Sequence, residues 1–335
     1  MKVRNQLYKE IEKHRNSKVL SYFTSTREGM GTQIAPDVLP IFTEHLDRIG
    51  DVEKISLVLY TNGGDLLAAW SLVNLIKSYC DTLEVIIPAN CFSSGTLICL
   101  GASNIVMTKQ AMLGPIDPSI NGLLNPQIPG WPDQSMKAPV SVEFVNAYIN
   151  MAKNDFGISD QKHMTEIFLG LSEKIHPLVL GQVYRSKSQI RMLANKLLSP
   201  LGLSEEQQET IIKFLCSESG SHDYSIRRKE ASENLGLPVE KPDRELYNLI
   251  KGIYDDAAKE MELNMPFNPV MIWQSGNPQY KCTRGIIESI DYGSDLYLTE
   301  GEINIQDIPM PDGSVRQNLS DMKTFEGWKH FNNKP

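Results

Sequence analysis

With 335 residues, 41% of them hydrophobic and 22% charged, the chain can bury a sizeable core and has the make-up of a globular protein rather than a disordered one. Its formal net charge of −8 argues against nucleic-acid binding as the main function, and no run of about 18 apolar residues offers a membrane span. Five cysteines (Cys80, Cys91, Cys99, Cys216, Cys282) lack CxxC spacing and the basic first 16 residues lack an apolar signal core, so free thiols in a cytoplasmic setting are expected.

In chain order, Gln6–His14 reads as a polar helix and Val19–Phe23 as a first strand. Pro36–Arg48 is predicted helical, with Val38, Leu39, Phe42 and Leu46 on one face. Strand 55–61, helix 65–80, strand 83–87, helix 94–102 and strand 104–107 follow. This alternation predicts right-handed βαβ units and a mostly parallel sheet. The proline-rich stretch Asn121–Val140 cannot hold a regular element and reads as a substrate-binding rim or an exposed loop.

Ser141 is placed to cap a helix running to about Asn154. Further helices are predicted over Ile175–Leu198, Glu205–Cys216, Arg227–Leu235 and Arg244–Met261. From Val270 the period changes to two, which predicts short strands at Val270–Trp273, Gly285–Asp291 and Asp295–Thr299. Asp307–Pro335 is polar and reads as loosely ordered.

Two turns carry the chemistry. Strand 55–61 ends in Asn62-Gly63-Gly64-Asp65, where glycine lets backbone approach a ligand. Strand 83–87 ends in a turn that reaches Ser93-Ser94-Gly95-Thr96 and an apolar helix. A serine there reads either as an N-cap or as a nucleophile presented at a strand-to-helix turn. Side by side at the carboxyl edge of a parallel sheet, the two turns would offer one N–H each to an oxyanion.

Asn62-Gly63-Gly64-Asp65, Ser93-Ser94-Gly95-Thr96 and Leu113-Gly114-Pro115-Ile116-Asp117-Pro118, in that order, resemble the Clp-protease/crotonase fold. Within it the chain is most similar to the serine dehydrogenase proteinase family, related to signal peptide peptidase A. His222-Asp223-Tyr224 and Leu235-Gly236-Leu237-Pro238 also resemble that family.

The resemblance implies an α/β fold of stacked ββα units with a parallel sheet, a helical extension and a small C-terminal β appendage. The expected division is a helical arm over 1–17, a catalytic domain over 18–262, the appendage over 263–306 and a polar tail over 307–335. It further implies a serine peptidase acting through an acyl-enzyme on a peptide or protein substrate, as a homo-oligomer. Ser93 matches the nucleophile, with Ser94 next in line. Gly63 or Gly64, with Ser94, would supply the oxyanion donors, and His222 and Asp117 could line the site.

The Clp pattern places a histidine after the next strand, but this chain reads Met112-Leu113-Gly114 there. The signal peptide peptidase branch uses lysine, which points to Lys137 before the helix at Ser141, with Lys109 as the alternative. A lysine base must be neutral near pH 7, so its charged form has to be disfavoured by roughly 4 kcal/mol. Met136, Trp131 and Pro139 are the apolar neighbours that could do so. His14, His45 and His330 read as surface residues, and His163 and His176 as helix residues.

No His/Cys/Asp/Glu grouping has metal-ligand spacing, and neither metal nor cofactor is expected. The rival readings are a crotonase-like acyl-thioester enzyme, which uses the same two N–H groups without a serine nucleophile, and an inactive assembly subunit.

Overall fold

In a computed structural model, which describes residues 2–116, 119–128, 136–218, 224–309 and 315–332, the chain forms two compact units. One joins Met1–Leu113 to Ile226–Pro335; the other is Gly114–Ser225. The first begins with α1 (Lys2–Arg15), β1 (Lys18–Thr24), α2 (Val38–Ile49), β2 (Val52–Tyr60), α3 (Leu66–Lys77) and β3 (Cys80–Ile87). Next come β4 (Asn90–Cys91), α4 (Ser94–Leu100), β5 (Asn104–Met107) and β6 (Met112–Leu113).

The second unit holds β7 (Ser119–Ile120), β8 (Val140–Ser141), α5 (Val142–Asn154), α6 (Gln161–Lys174), α7 (Pro177–Leu198) and α8 (Glu205–Lys213), followed by a π-helical turn at Phe214–Glu218. The remaining elements belong to the first unit: β9 (Ile226–Arg227), α9 (Arg228–Glu233), β10 (Val239–Glu240), α10 (Arg244–Glu260), α11 (Pro269–Gln274), β11 (Gln279–Ser289), β12 (Gly293–Pro309) and β13 (Val315–Asn332).

An eight-stranded sheet in the order β10-β5-β3-β2-β1-β11-β12-β13 organises the first unit. The strands β10, β5, β3, β2 and β1 pair in parallel, and β11, β12 and β13 add on antiparallel. The parallel strands are covered on both faces, which is why they are mostly apolar, with Ser21, Ser56 and Glu84 the buried polar exceptions. Val19, Phe23, Val58, Ile86 and Val106 meet Tyr8 and Ile11 of α1 and Leu246, Ile250 and Ile253 of α10. On the other face Tyr22 meets Phe42 of α2 edge-on, with ring centroids 5.5 Å apart.

Four sequence expectations change. Helix α3 ends at Lys77, and Cys80 begins β3. Val270–Trp273 is helical because Asn268 accepts the N–H groups of Val270 and Met271 and Pro269 occupies the first turn. The strands beyond residue 263 continue the main sheet, with Leu20 opposite Ser289. Residues 315–332, expected in a loose polar tail, form the outer strand β13.

Charged side chains tie the sheet to its helices. The Glu84 side chain on β3 is fully buried. It accepts hydrogen bonds from Arg15, Lys54, Ser56 and Asn104, and Arg15 also pairs with Glu240 of β10. On α1, Arg4 is buried against Glu288 at 2.8 Å, and Tyr8 and Ser294 bond the same carboxylate. Such pairs repay the desolvation of their charges only when they are fully hydrogen-bonded, as these are.

Burial alone would raise the Glu84 pKa, but the bonds from Arg15, Asn104 and Ser56 outweigh it and bring it down to about 2. The carboxylate therefore stabilises the fold above its ordinary value of 4.5, and that stability is lost as pH falls through the folded value. Thermal melts between pH 5 and pH 2 should show the midpoint dropping across this window, with a shallower drop in Glu84→Gln. At pH 7, Glu84→Ala should cost about 1–3 kcal/mol by denaturant unfolding, since its donors lose a buried acceptor while Arg15 and Asn104 keep Glu240.

Candidate active site

Ser93 stands where β4 turns into α4. Its backbone is held at φ 52 and ψ −117, a conformation that costs an L-residue about 1–3 kcal/mol. Hydrogen bonds on both sides impose it. Thr61 donates its N–H to the Asn90 carbonyl at 3.0 Å, and Phe92 donates back to the Thr61 carbonyl at 3.0 Å. Gly95 then donates to Phe92 at 2.9 Å, and Leu97 to the Ser93 carbonyl at 3.2 Å. The Ser93 side chain makes no capping bond and is half-buried, as a nucleophile on a sharp strand-to-helix turn should be.

The Gly-Gly turn lies against this serine. Gly63 has φ 102, and a β-carbon placed on it would stand 2.7 Å from the Ser93 Cβ and 3.2 Å from its Oγ. Gly64 has φ 150, and a β-carbon there would stand 2.2 Å from the Ile34 carbonyl oxygen. Only glycine fits either place. The Gly63 N–H donates to the Thr61 hydroxyl at 3.0 Å. The N–H groups of Gly64 and Ser94 have no partner among the described residues.

The Ser94 side chain is fully buried, with its Oγ unpartnered, so Ser93 is the serine of the pair with exposed surface. Thr61, whose hydroxyl links this turn to Thr24 of β1 at 2.8 Å, was not expected from the sequence. A threonine two residues before a glycine is a recognisable hydroxyl-turn signal.

Five histidines are described, and each bonds a group other than Ser93. His14 bonds Asp243, His163 bonds Asp160, and His176 accepts the Leu178 N–H at the start of α7. His45, expected at the surface, is fully buried: its Nδ1 lies 2.7 Å from Ser289 Oγ and its Nε2 3.0 Å from Asp295. It sits on α2 beside Phe42 and Leu46, so the spacing placed it on the buried face. The three groups have the composition of a catalytic triad, but Ser289 and His45 have no exposed surface, and they serve as a clamp between α2 and the β11–β12 hairpin. His330 bonds the same Asp295.

Burial alone would raise the Asp295 carboxyl, but its bonds from His45 and His330 hold it below the usual carboxylate range. His222 and Asp117 lie outside the described residues, as does Trp131.

Lys137 belongs to the other unit, on a ribbon in which it pairs with Gln127 and β7 pairs with β8. Asn125 clasps this ribbon by donating to the Ile120 and Ala138 carbonyls at 2.6 and 2.9 Å. Ser141 caps α5 as expected, accepting the Phe144 N–H at 3.2 Å. Lys137 is half-buried and has no ion-pair partner among the described residues. Met136 and Pro139, expected to shield it, are exposed. Lys109 is exposed, in the same unit as Ser93. No group of three or more potential metal ligands occurs among the described residues, and no described helix is long and apolar enough to cross a membrane.

Residues 1–131 match the ClpP-like SDH-type serine proteinases. The match takes in Gly63, Gly64, Ser93 and Ser94 and ends before Lys137. Two uncharacterized proteins of Methanocaldococcus jannaschii are similar to the chain. One is 28% identical over 77% of this chain and 80% of its own length. The other is 29% identical over 59% of this chain and 56% of its own length.

Among solved structures, a membrane-bound stomatin-specific protease in complex with a substrate peptide is similar at 16% identity and a TM-score of 0.37, over 68% of this chain and 77% of that one. ClpP1 of Listeria monocytogenes is similar at 13% identity and a TM-score of 0.35, over 71% of this chain and 99% of that one.

Because the Gly63 α-carbon lies against Ser93, Gly63→Ala should displace the serine by a few tenths of an ångström or more. The labelling rate of Ser93 by a fluorophosphonate, read by mass spectrometry, should fall about 100-fold. Gly64→Ala meets the Ile34 backbone at still shorter distance and should also lower the melting temperature.

Proposed function

We propose that this chain is a serine peptidase that cleaves peptide bonds through an acyl-enzyme. The observation that carries the reading is Ser93, held in a strained turn beside two unpartnered N–H groups. Its Oγ attacks the scissile carbonyl carbon. The developing oxyanion is received by the N–H groups of Gly64 and Ser94, while Gly63, whose N–H is taken by Thr61, supplies the close fit. The acyl-enzyme forms as the amine leaves, and water then releases the acyl group.

Lys137 is the proposed base. Support comes from the absence of histidine at Met112-Leu113-Gly114, from the engagement of the five described histidines with other groups, and from a lysine without an ion-pair partner among the described residues. In its neutral form the lysine takes the Ser93 proton and returns it to the leaving amine. His222 and Asp117 remain proposed lining residues.

The proposal includes a homo-oligomer in a cytoplasmic setting. Exposed apolar side chains on α5, α6 and α7, among them Phe144, Phe168, Leu178 and Tyr184, support self-association. Five free cysteines support a reducing compartment.

Fluorophosphonate labelling and hydrolysis of a peptide library test the chemistry together. Ser93→Ala should abolish both. Lys137→Ala should lose nearly all hydrolysis, and the double variant should lose little more, since the two residues act as one unit. Retained activity in Lys137→Ala, with loss in His222→Ala, would move the base to that histidine. Hydrolysis that survives loss of Ser93 would replace the peptidase by the acyl-thioester reading.

A further inference from the structure

A cavity of about 580 Å³ opens beside the glycine turn, within the same unit as Ser93. Its inner end reaches Tyr22 and Thr24 on β1 and Asn62, the residue before Gly63. Its outer wall is made by the C-terminal strands, through Arg284, Tyr297 and Trp328. Gly285 makes room for that wall, since a β-carbon there would stand 3.0 Å from the Trp328 ring and 3.1 Å from the Tyr297 Cβ. The two rings meet edge to face with centroids 5.4 Å apart.

The charges in this cavity are unequal in their engagement. Arg284 donates to the carbonyls of Met30 and Gly31, to Thr299 at 3.0 Å and to Glu326 at 3.1 Å, and lies over the Tyr297 ring. Its charge is therefore paired. Asp37 receives one hydrogen bond, from Trp328 Nε1 to its Oδ2 at 2.8 Å. Its other oxygen has no partner and its charge no counter-ion among the described residues. Burial, and after it the Asp37 charge, raise the Tyr22 phenol well above its ordinary range.

We infer that this cavity is a subsite for a basic side chain of the substrate, arginine or lysine, close to the bond that Ser93 attacks. An exposed carboxylate oriented by the Trp328 indole, beside the Tyr297 and Trp328 rings, is an arrangement that can take a cation, through a charged hydrogen bond and cation–π contact. Its nearness to the reacting atoms follows from the chain itself. Asn62 lines the cavity and the next residue touches Ser93. Gln33 and Ala35 line it too, on either side of Ile34, which pairs with Gly64. Consecutive α-carbons are about 3.8 Å apart, so a peptide whose carbonyl faces Gly64 has a neighbouring side chain within reach. The C-terminal strands thus act as a specificity element.

The placement rests on the peptidase reading, but binding to an inactive variant tests the subsite separately. Pairs of peptides identical except for arginine against citrulline are titrated calorimetrically into full-length Ser93→Ala. The arginine peptide should bind at least tenfold more tightly. Asp37→Asn in that background should abolish the difference, and Trp328→Phe, which keeps a ring but removes the donor that orients Asp37, should reduce it. Equal binding of the two peptides, a difference that survives Asp37→Asn, a preference for glutamate peptides, or no binding of any peptide would each overturn the inference. Fluorophosphonate labelling of the wild-type chain reports on the peptidase reading independently of these outcomes.

Discussion

The close approach of Gly63 to Ser93 is the constraint on which the rest of the site depends. It requires β2 and β3 to end at the same edge of the sheet, and their parallel register, with Val58 opposite Ile86, ensures this. The Thr61–Cys91 bridge carries the pairing past the strand ends into both turns. The Thr61 hydroxyl then accepts from Gly63 and is joined to β1 through Thr24. Three strands thereby fix one glycine, and that glycine leaves the serine a single position. The strain at Ser93 persists because these contacts over-determine it.

A second set of forces keeps that sheet edge in place without touching it. Glu84 and Glu288 each lie buried on a strand, and each is matched by an arginine from α1, Arg15 and Arg4 respectively. Removing either partner would leave a charge in a low-dielectric interior, so these pairs define where α1 sits more sharply than apolar packing does. Polar cross-links and apolar layers agree here on a single arrangement, which is what a well-specified fold requires.

Much of this was legible in the sequence, and the misses have physical causes. The parallel strands are readable because burial on both faces makes them mostly apolar, and Ser141 is readable because its hydroxyl caps α5. Strand β13 is hidden because an outer strand buries little, and backbone pairing with β12 holds it whatever its composition. Val270–Trp273 could not be assigned from four apolar residues; the Asn268 cap decides it. Ser93 and the glycines are carried by local turns, so the sequence exposes them. A base supplied by a distant segment has no such local signature, and Asp37 gains its meaning only when Trp328 arrives from the other end of the chain.

That distance along the chain has a consequence for how the protein is made. The pairing of β1 with β11 sets Leu20 opposite Ser289, and Arg4 finds Glu288 there. On the ribosome β1 emerges long before its partner does. Until residues 279–289 have been synthesised, one side of β1 is an open apolar edge and Arg4 lacks its principal counter-charge, a condition that invites pairing with other nascent chains. A polypeptide released early would carry the glycine–serine turn on an unfinished scaffold, open to chaperones and to degradation.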